Sequence, residues 1–172
     1  LAGSIEHGMA GREDDFTTGL SIVAKLTEGK TYLCKAQGSK IPSANGVEVA
    51  EFAGKHPAGL PGTHIHMLEP ASRNNVAWHL GWQDVIAIGH LFKTGRLDSS
   101  RVIAIGGPGA QSPRLLKTRI GASLSELVAG ELVADQDIRT ISGSVFGGRS
   151  ANEPVWDYLG RYDNQVSCLV ED

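Results

Sequence analysis

The 172-residue sequence has only two cysteines, few aromatic residues and no long hydrophobic run. Cys34 and Cys168 lie far apart and outside any CxxC pair, so the sequence indicates neither a disulfide framework nor a zinc or iron–sulfur site. A reduced, cytoplasmic setting is therefore the expectation. No apolar stretch approaches the roughly 20 residues that a transmembrane helix needs, so we expect no transmembrane segment in this chain.

An excess of positive charge is also lacking. The formal net charge is −3, which gives no electrostatic reason to expect a nucleic acid partner, because such partners are bound by a basic face. Hydrophobic residues at 41% and charged residues at 20% are typical of a globular protein that is soluble in water. The length suits one medium domain or two small ones, each with a real core.

The stretch from residue 101 to residue 132 has the strongest pattern in the chain. The apolar run Val102–Ile105 predicts a strand buried on both faces. Gly106–Gly109 then predicts a tight turn, and lacks the spacing of a phosphate-binding loop. A second strand follows over 114–120, and Ser123 with Glu126 forms the capping box of a short helix. Strand, turn, strand and helix in this order predict the start of a β-grasp module.

The second of these strands predicts two different faces. Leu116, Thr118 and Ile120 share one face, whereas Lys117 and Arg119 share the other. The basic face is explained either by solvation or by docking to an acidic partner surface, and both explanations stay open.

The first hundred residues alternate between helical and strand patterns, which predicts an α/β layout. We interpret residues 1–12 as a poorly ordered lead-in. A helix is predicted over 14–26 and another over 84–93, the second with Val85, Ile88 and Phe92 on its core face. A short strand is predicted over 31–34, and the segment 36–54 is interpreted as a loop or loose hairpin whose best strand is 47–52.

Two further strands are predicted late in the chain, over Ile138–Ser142 and Gln165–Val170. A glycine-rich connection over 143–148 follows the first of them.

The segment from residue 55 to residue 68 combines turn residues with three histidines, so a site is expected there. If the segment is extended, His64 and His66 share a face, and with His56 they could form a metal site; the simpler interpretation is a set of polar loop residues. Trp78 and Trp82 are four residues apart, which suits packing between helical neighbours or a stacking platform for a planar ligand. No serine lies in a GxSxG elbow, so no catalytic residue is predicted.

Segments that follow one another with similar spacings resemble the NqrA family of the bacterial sodium-translocating NADH:quinone oxidoreductases. They are LTEGKTYLCK, HPAGLPGTHIH, QDVIAIGHLFKTGRL, GPGAQSPRLLKTRIGASLSEL and ISGSVFGG. More distantly, the chain is similar to the flavin-bearing subunit of complex I and to RnfC-type subunits.

The resemblance implies that residues 1–100 are part of a Rossmann-like α/β domain and that residues 101–172 form a β-grasp, SLBB-like module. It further implies a fragment of a peripheral subunit on the cytoplasmic side of the bacterial inner membrane. NADH, ubiquinone and flavins then belong to the whole complex, and the fragment holds no cofactor. Its partners are the other subunits, and its role is structural or lies in quinone handling.

The flavin-bearing relatives carry an Asn-Asn-Val-Glu-Thr motif that contacts FMN. Asn74, Asn75 and Val76 match this motif, whereas Ala77 and Trp78 replace its last two residues. The acidic segment of these relatives is replaced by the histidine-rich one described above. Both departures weigh against FMN and NADH binding, although an FMN- and NADH-binding electron-transfer domain is the alternative. The residues predicted to contact quinone or a flavin-like ligand are His56, His64, His66, Asn74, Asn75 and Trp78, and those predicted to contact a partner are Lys117 and Arg119.

Overall fold

The computed structural model describes residues 5–151 and 153–171 of the chain. It divides into two compact units, Met9–Asp98 and a second unit formed mainly by Ser99–Asp172. Within the described residues, no helix combines the length and the apolar character that would let it cross a bilayer.

Two helices open the chain, α1 over Ile5–Met9 and α2 over Glu13–Val23. The prediction of a poorly ordered lead-in was therefore wrong for the residues from Ile5 onward. α2 buries Phe16 and Leu20 as predicted, but it ends before Leu26, which is exposed. The backbone N–H groups of Lys25 and Leu26 bond to carbonyls three residues back, so the last turn tightens and the helix stops.

A two-stranded sheet follows, with β1 over Thr31–Ala36 and β2 over Val47–Phe52. Both strands were predicted, but the loose hairpin was wrong, because the strands are parallel and pair from Thr31↔Val47 to Ala36↔Phe52. A parallel pair needs a connection that returns along the length of the first strand, and residues 37–46 provide it. The alternation of helices with parallel strands confirms the α/β layout.

Two more helices complete this unit, α3 over Pro61–Leu68 and α4 over Trp82–Thr94. α4 ends at Gly95, whose φ of 72° gives the left-handed C-cap that the sequence predicted. Its buried residues include Val85, Ile86 and Gly89, whereas the predicted core residue Phe92 is exposed. Gly89 lies against Asp15, which is near the N-terminal end of α2. Phe92 lies about one turn further along α4, where α2 no longer covers it.

The backbones of α2 and α4 meet at two glycines. A Cβ atom added at Gly89 would lie 1.8 Å from the Asp15 carbonyl oxygen, and one added at Gly19 would lie 2.0 Å from the Val85 carbonyl oxygen. Only glycine allows this approach. Around the crossing, the core of the unit contains Met9, Phe16, Leu20, Val85 and Ile86.

The second unit is built on a five-stranded sheet. Its elements are β3 over Ser100–Gly106, β4 over Arg114–Arg119, α5 over Leu124–Leu127, β5 over Ile138–Ser142, β6 over Arg149–Ser150, a 3-10 helix over Pro154–Trp156, and β7 over Gln165–Val170. The strand order is β4-β3-β7-β5-β6, with β3 and β7 parallel and the other pairs antiparallel. The first and last strands therefore lie side by side at the centre, which is the β-grasp arrangement predicted from the sequence.

The core of this sheet confirms the predicted strands. Ile103, Ala104 and Ile105 are buried in succession, as expected of a strand covered on both faces. Leu124 and Cys168 join them in the core. The Ser123 hydroxyl caps α5 by accepting a hydrogen bond from the Glu126 backbone N–H. The short strand β6 and the 3-10 helix were not predicted.

Candidate functional site

The three histidines proposed as ligands do not form a shared face. His64 packs its ring against Phe52, with centroids 4.1 Å apart, and its Nε2 donates to the Ala58 carbonyl oxygen at 2.8 Å. His66 and His56 are exposed. Because the predicted extended segment is the helix α3, residues two apart lie on different sides, and the predicted shared face of His64 and His66 was wrong. Among the described residues, no three His, Cys, Asp or Glu side chains are grouped as a metal site would require.

The asparagines and Trp78 lie in the exposed connection between α3 and α4. Ser72 and Asn75 pair through their backbones, and the Asn75 side-chain amide donates to the Pro70 carbonyl oxygen at 3.0 Å. That amide therefore stabilises its own turn. Trp78 lies outside α4 and is 84% exposed, so the predicted helical pairing with Trp82 was wrong. Asn74, Asn75 and Trp78 share this connection, and all three side chains are exposed.

Lys117 and Arg119 lie on the exposed face of β4, which is an edge strand of the five-stranded sheet. Leu116 points the other way and packs against the core, so the predicted alternation is confirmed. Charged side chains on an edge strand also discourage unwanted strand pairing. A role in partner binding stays a prediction.

A cluster of charged residues between α2 and α4 was not predicted. The Asp15 carboxylate, 13% exposed, accepts from Arg12 Nε at 3.0 Å and from Lys93 Nζ at 2.9 Å, and His90 Nδ1 lies 3.4 Å away. Arg12 also donates to Asp98 at 2.7 Å. From the sequence, only the ion pair between Arg12 and Asp15 could have been predicted, because these residues have the i,i+3 spacing of helical neighbours. The opposite charges are paired, so the cluster holds the two helices together.

The cluster predicts a pH dependence of stability. Burial alone would raise the pKa of Asp15, but the hydrogen bonds from Lys93 and Arg12 outweigh it and lower the pKa below the ordinary value of 3.8. Because the folded state lowers this pKa, it favours the ionised carboxylate, which stabilises the fold at pH values above the unfolded-state pKa. This stabilisation is lost as the pH falls through the folded-state pKa. We therefore expect Asp15→Asn to lower the urea midpoint of the Met9–Asp98 unit at pH 7. The difference from the unchanged chain should shrink below pH 3.8. If the urea midpoints of the two proteins differ by the same amount at pH 7 and below pH 3.8, the ionised Asp15 carboxylate does not stabilise this unit.

An open cleft of about 510 Å³ also lies in the first unit. The Thr17 and Ser21 hydroxyls donate to carbonyl oxygens of their own helix, at 3.1 and 3.0 Å. The side chains that line the cleft are therefore neutral, and none of them is an acid or a base that could activate a hydroxyl. The residues that line it are Thr17, Thr18, Ser21, Ser43, Ala44 and Asn45.

Two family models cover most of the chain. Residues 1–97 match the NqrA second alpha/beta domain, and residues 102–153 match the NQRA C-terminal domain, which is an SLBB-type model. The chain belongs to the NqrA family. The matches confirm the resemblance found in the sequence, and they confirm the fold class of a partial Rossmann-like domain followed by a β-grasp, SLBB-like module.

Several similar proteins are named as the NqrA component of a Na(+)-translocating NADH-quinone reductase. The chain is 60% identical to the one from Shewanella amazonensis over 164 residues, which cover 95% of this chain and 36% of the relative. It is 52% identical over 171 residues to the one from Marinomonas sp., covering 99% of this chain and 38% of the relative. It is 50% identical over 165 residues to the one from Rhodopirellula baltica, covering 95% of this chain and 36% of the relative. The chain thus spans a little over a third of the length of these NqrA relatives.

Proposed function

We propose that the chain is part of a peripheral subunit of a sodium-pumping NADH:quinone oxidoreductase. In that complex, NADH oxidation and ubiquinone reduction are coupled to Na+ export. The observation that carries the proposal is the identity of 50–60% to relatives with this function in their names, over at least 95% of the chain. The protein works with the other subunits on the cytoplasmic side of the bacterial inner membrane. The part formed by these residues has a structural or quinone-handling role and carries no redox centre.

The exposed connection between α3 and α4 supports a role without bound flavin. FMN recognition in the flavin-bearing relatives depends on a motif that Ala77 and Trp78 interrupt, and the Asn75 amide is already bonded to the Pro70 carbonyl oxygen. Exposed Trp78 instead offers an aromatic face to a quinone ring, and nearby Asn74 offers a side-chain amide. The histidines of 56–66 lie on the preceding segment.

This interpretation predicts that the 172-residue chain binds neither FMN nor NADH at micromolar concentration. The chain lacks the acidic and hydroxyl residues of the flavin motif at positions 77 and 78. Titration of FMN fluorescence and of NADH fluorescence against the chain should give no saturable change. Saturable quenching with a micromolar dissociation constant would favour the alternative, an FMN- and NADH-binding electron-transfer domain.

A chimeric protein tests the proposed function. In the Shewanella amazonensis relative, this chain replaces the segment of 164 matched residues. The chimera carries an affinity tag and is expressed in cells that lack their own NqrA. Because the replaced segment is 60% identical, its buried faces should be compatible with the rest of the relative, and we expect the other subunits to copurify with it. A chimera that folds but recovers none of them would contradict the proposal.

Lys117 and Arg119 make a further prediction within this chimera. Exposed charges at the rim of an interface mainly set the association rate and its salt dependence. If the basic face of β4 contacts a partner, Lys117→Glu/Arg119→Glu should slow assembly by about tenfold at low ionic strength, and by less at high salt, where charges are screened. Lys25→Glu/Lys55→Glu makes the same change of charge at exposed positions of the other unit and serves as the control. Equal assembly rates for both double variants would leave Lys117 and Arg119 as ordinary surface charges.

A further inference from the structure

Exposed aromatic side chains gather at one end of the β-grasp sheet. The chain has only four Phe, three Trp and three Tyr residues, and four of these aromatics lie between residues 146 and 162. Phe146, in the turn after β5, is fully exposed at 101%. Contiguous exposed apolar patches on a protein mark interaction sites, whereas single exposed apolar residues do not. We call this set the tip surface; it consists of Val145, Phe146, Val155, Trp156, Tyr158 and Tyr162, all exposed.

Short contacts hold together the two connections that carry the tip surface, one between β5 and β6 and the other between β6 and β7. The Arg149 guanidinium lies over the Trp156 ring, 4.8 Å from its centroid, and donates to the Tyr158 carbonyl oxygen at 3.2 Å. Thus β6 is joined to the 3-10 helix and to the residues after it. The turn after β5 also lies against Asp163, because a Cβ atom on Gly143 would be 2.8 Å from the Asp163 Oδ1 atom. Tyr162 is therefore held close to the turn that carries Phe146.

A buried hydrogen-bond network fixes the base of the tip surface. Ser142, 0% exposed, donates its hydroxyl to Asp163 Oδ2 at 2.6 Å and accepts from the Gly160 backbone N–H at 2.9 Å. The buried Ser167 hydroxyl donates to the Gly143 carbonyl oxygen at 2.8 Å. Phe146 and Tyr162 thus extend from turns whose ends are anchored in the sheet. Ordering such turns in advance reduces the entropy that is lost when a partner binds.

The chemistry of the tip surface indicates what kind of partner fits it. Tyr, Trp and Arg are the residues enriched where proteins bind one another most strongly. Within the described residues, the Arg149 guanidinium bonds a backbone carbonyl and a ring face and has no carboxylate partner, so its positive charge is available to an incoming acidic group. An anionic lipid surface fits less well, because Glu153, Asp157 and Asp163 lie in the same stretch as the two arginines Arg149 and Arg161.

We propose that the tip surface docks onto another subunit of the reductase, through a segment of that subunit with apolar side chains and a carboxylate that pairs with Arg149. This inference rests on the proposed function. It goes further by assigning the contact to one end of the β-grasp sheet, away from the basic face of β4.

Photo-crosslinking in the chimeric protein tests the proposal. Phe146 is replaced by the photoreactive analogue p-benzoylphenylalanine, and the assembled complex is irradiated and analysed by mass spectrometry. The expected product joins position 146 to another subunit, in a peptide that contains apolar residues and an Asp or Glu. A crosslink only within the chimera, to a second copy of it or to lipid would overturn the proposal, as would no crosslink in an assembled complex. The same analogue at exposed Gln111 is the control. If the chimera without any analogue fails to recover the other subunits, the proposed function itself has failed, which is a distinguishable result.

Charge reversal gives a second readout. Arg149→Glu should weaken the association of the chimera with the other subunits by about 30-fold, as expected for a central interface residue. Arg73→Glu, at an exposed position in the first unit, should leave it unchanged. Phe146→Ser should weaken association to a similar extent, yet leave the thermal midpoint of the 172-residue chain within about 2 °C, because the side chain is exposed. Unchanged association for both Arg149→Glu and Phe146→Ser would contradict the docking role.

Discussion

Gly89→Ala is expected to destabilise the Met9–Asp98 unit by about 3 kcal/mol or more. The new methyl group would lie 1.8 Å from the Asp15 carbonyl oxygen and 2.8 Å from the Gly19 nitrogen. Both atoms belong to the backbone of α2, so neither can rotate away, and the two helices must separate. The separation weakens the packing of Phe16 and Val85 in the core between them.

Gly62→Ala is the matched control for this prediction. Gly62 is also helical, but no atom outside its own helix and chain neighbours lies within 4 Å of a Cβ added there, and alanine is a better helix former than glycine. The control should therefore be neutral or slightly stabilising. Amide hydrogen exchange of α2 and α4, measured at increasing urea concentrations, reports on the stability of this unit separately from the β-grasp unit. A Gly89→Ala variant as stable as Gly62→Ala would contradict the close approach of the α2 and α4 backbones at Gly89.

The second large effect is expected for Leu116→Asp, at about 3 kcal/mol. Leu116 packs against the core of the β-grasp unit, and a carboxylate placed there loses hydration without gaining a partner. Lys117→Asp should cost less than about 1 kcal/mol, because that side chain is on the exposed face of β4. Thermal unfolding of both variants measures the difference. A strand register shifted by one residue would exchange the two outcomes, and equal destabilisation would contradict the assignment of β4.

Local sequence patterns predicted the β-grasp unit well. The apolar run over 102–105, the turn glycines and the late strands each depend on residues close together in the chain. Local patterns in the sequence were therefore enough to predict them. The strands Ile138–Ser142 and Gln165–Val170 have the predicted bounds. The end of α4 at Gly95 was predicted for the same reason, because one left-handed glycine suffices to end a helix.

The first unit was harder to predict, because distant contacts decide its structure. Glycines, prolines and histidines suggested a loop where α3 lies, although Pro61 at its start is a favoured first helical residue. The parallel pairing of β1 with β2 depends on a crossover, which no local pattern specifies. The bond from Arg12 to Asp98 joins residues 86 positions apart, and no spacing rule could have indicated it.

The candidate site residues show the same contrast between features set by local patterns and features set by distant contacts. The alternation of β4 placed Lys117 and Arg119 on an exposed face, and the structure agrees. Convergence of His56, His64 and His66 would have required a tertiary arrangement that spacing does not determine, and α3 directs His64 to Phe52 instead. The aromatic residues of the tip surface come from the two connections on either side of β6. Their proximity depends on buried Ser142 and on Asp163, whose pairing spans the late part of the module.

The most direct test of the proposed function is the sodium-stimulated NADH:quinone reductase activity of membranes that carry the chimeric protein. The host cells lack their own NqrA, and this chain replaces the matched segment of the Shewanella amazonensis relative. We expect NADH-dependent quinone reduction to return and to be stimulated by Na+, while the same chimera with Gly89→Ala gives little activity. Membranes that contain the folded, assembled chimera but show no sodium-stimulated quinone reduction would contradict the assignment of this chain to the reductase.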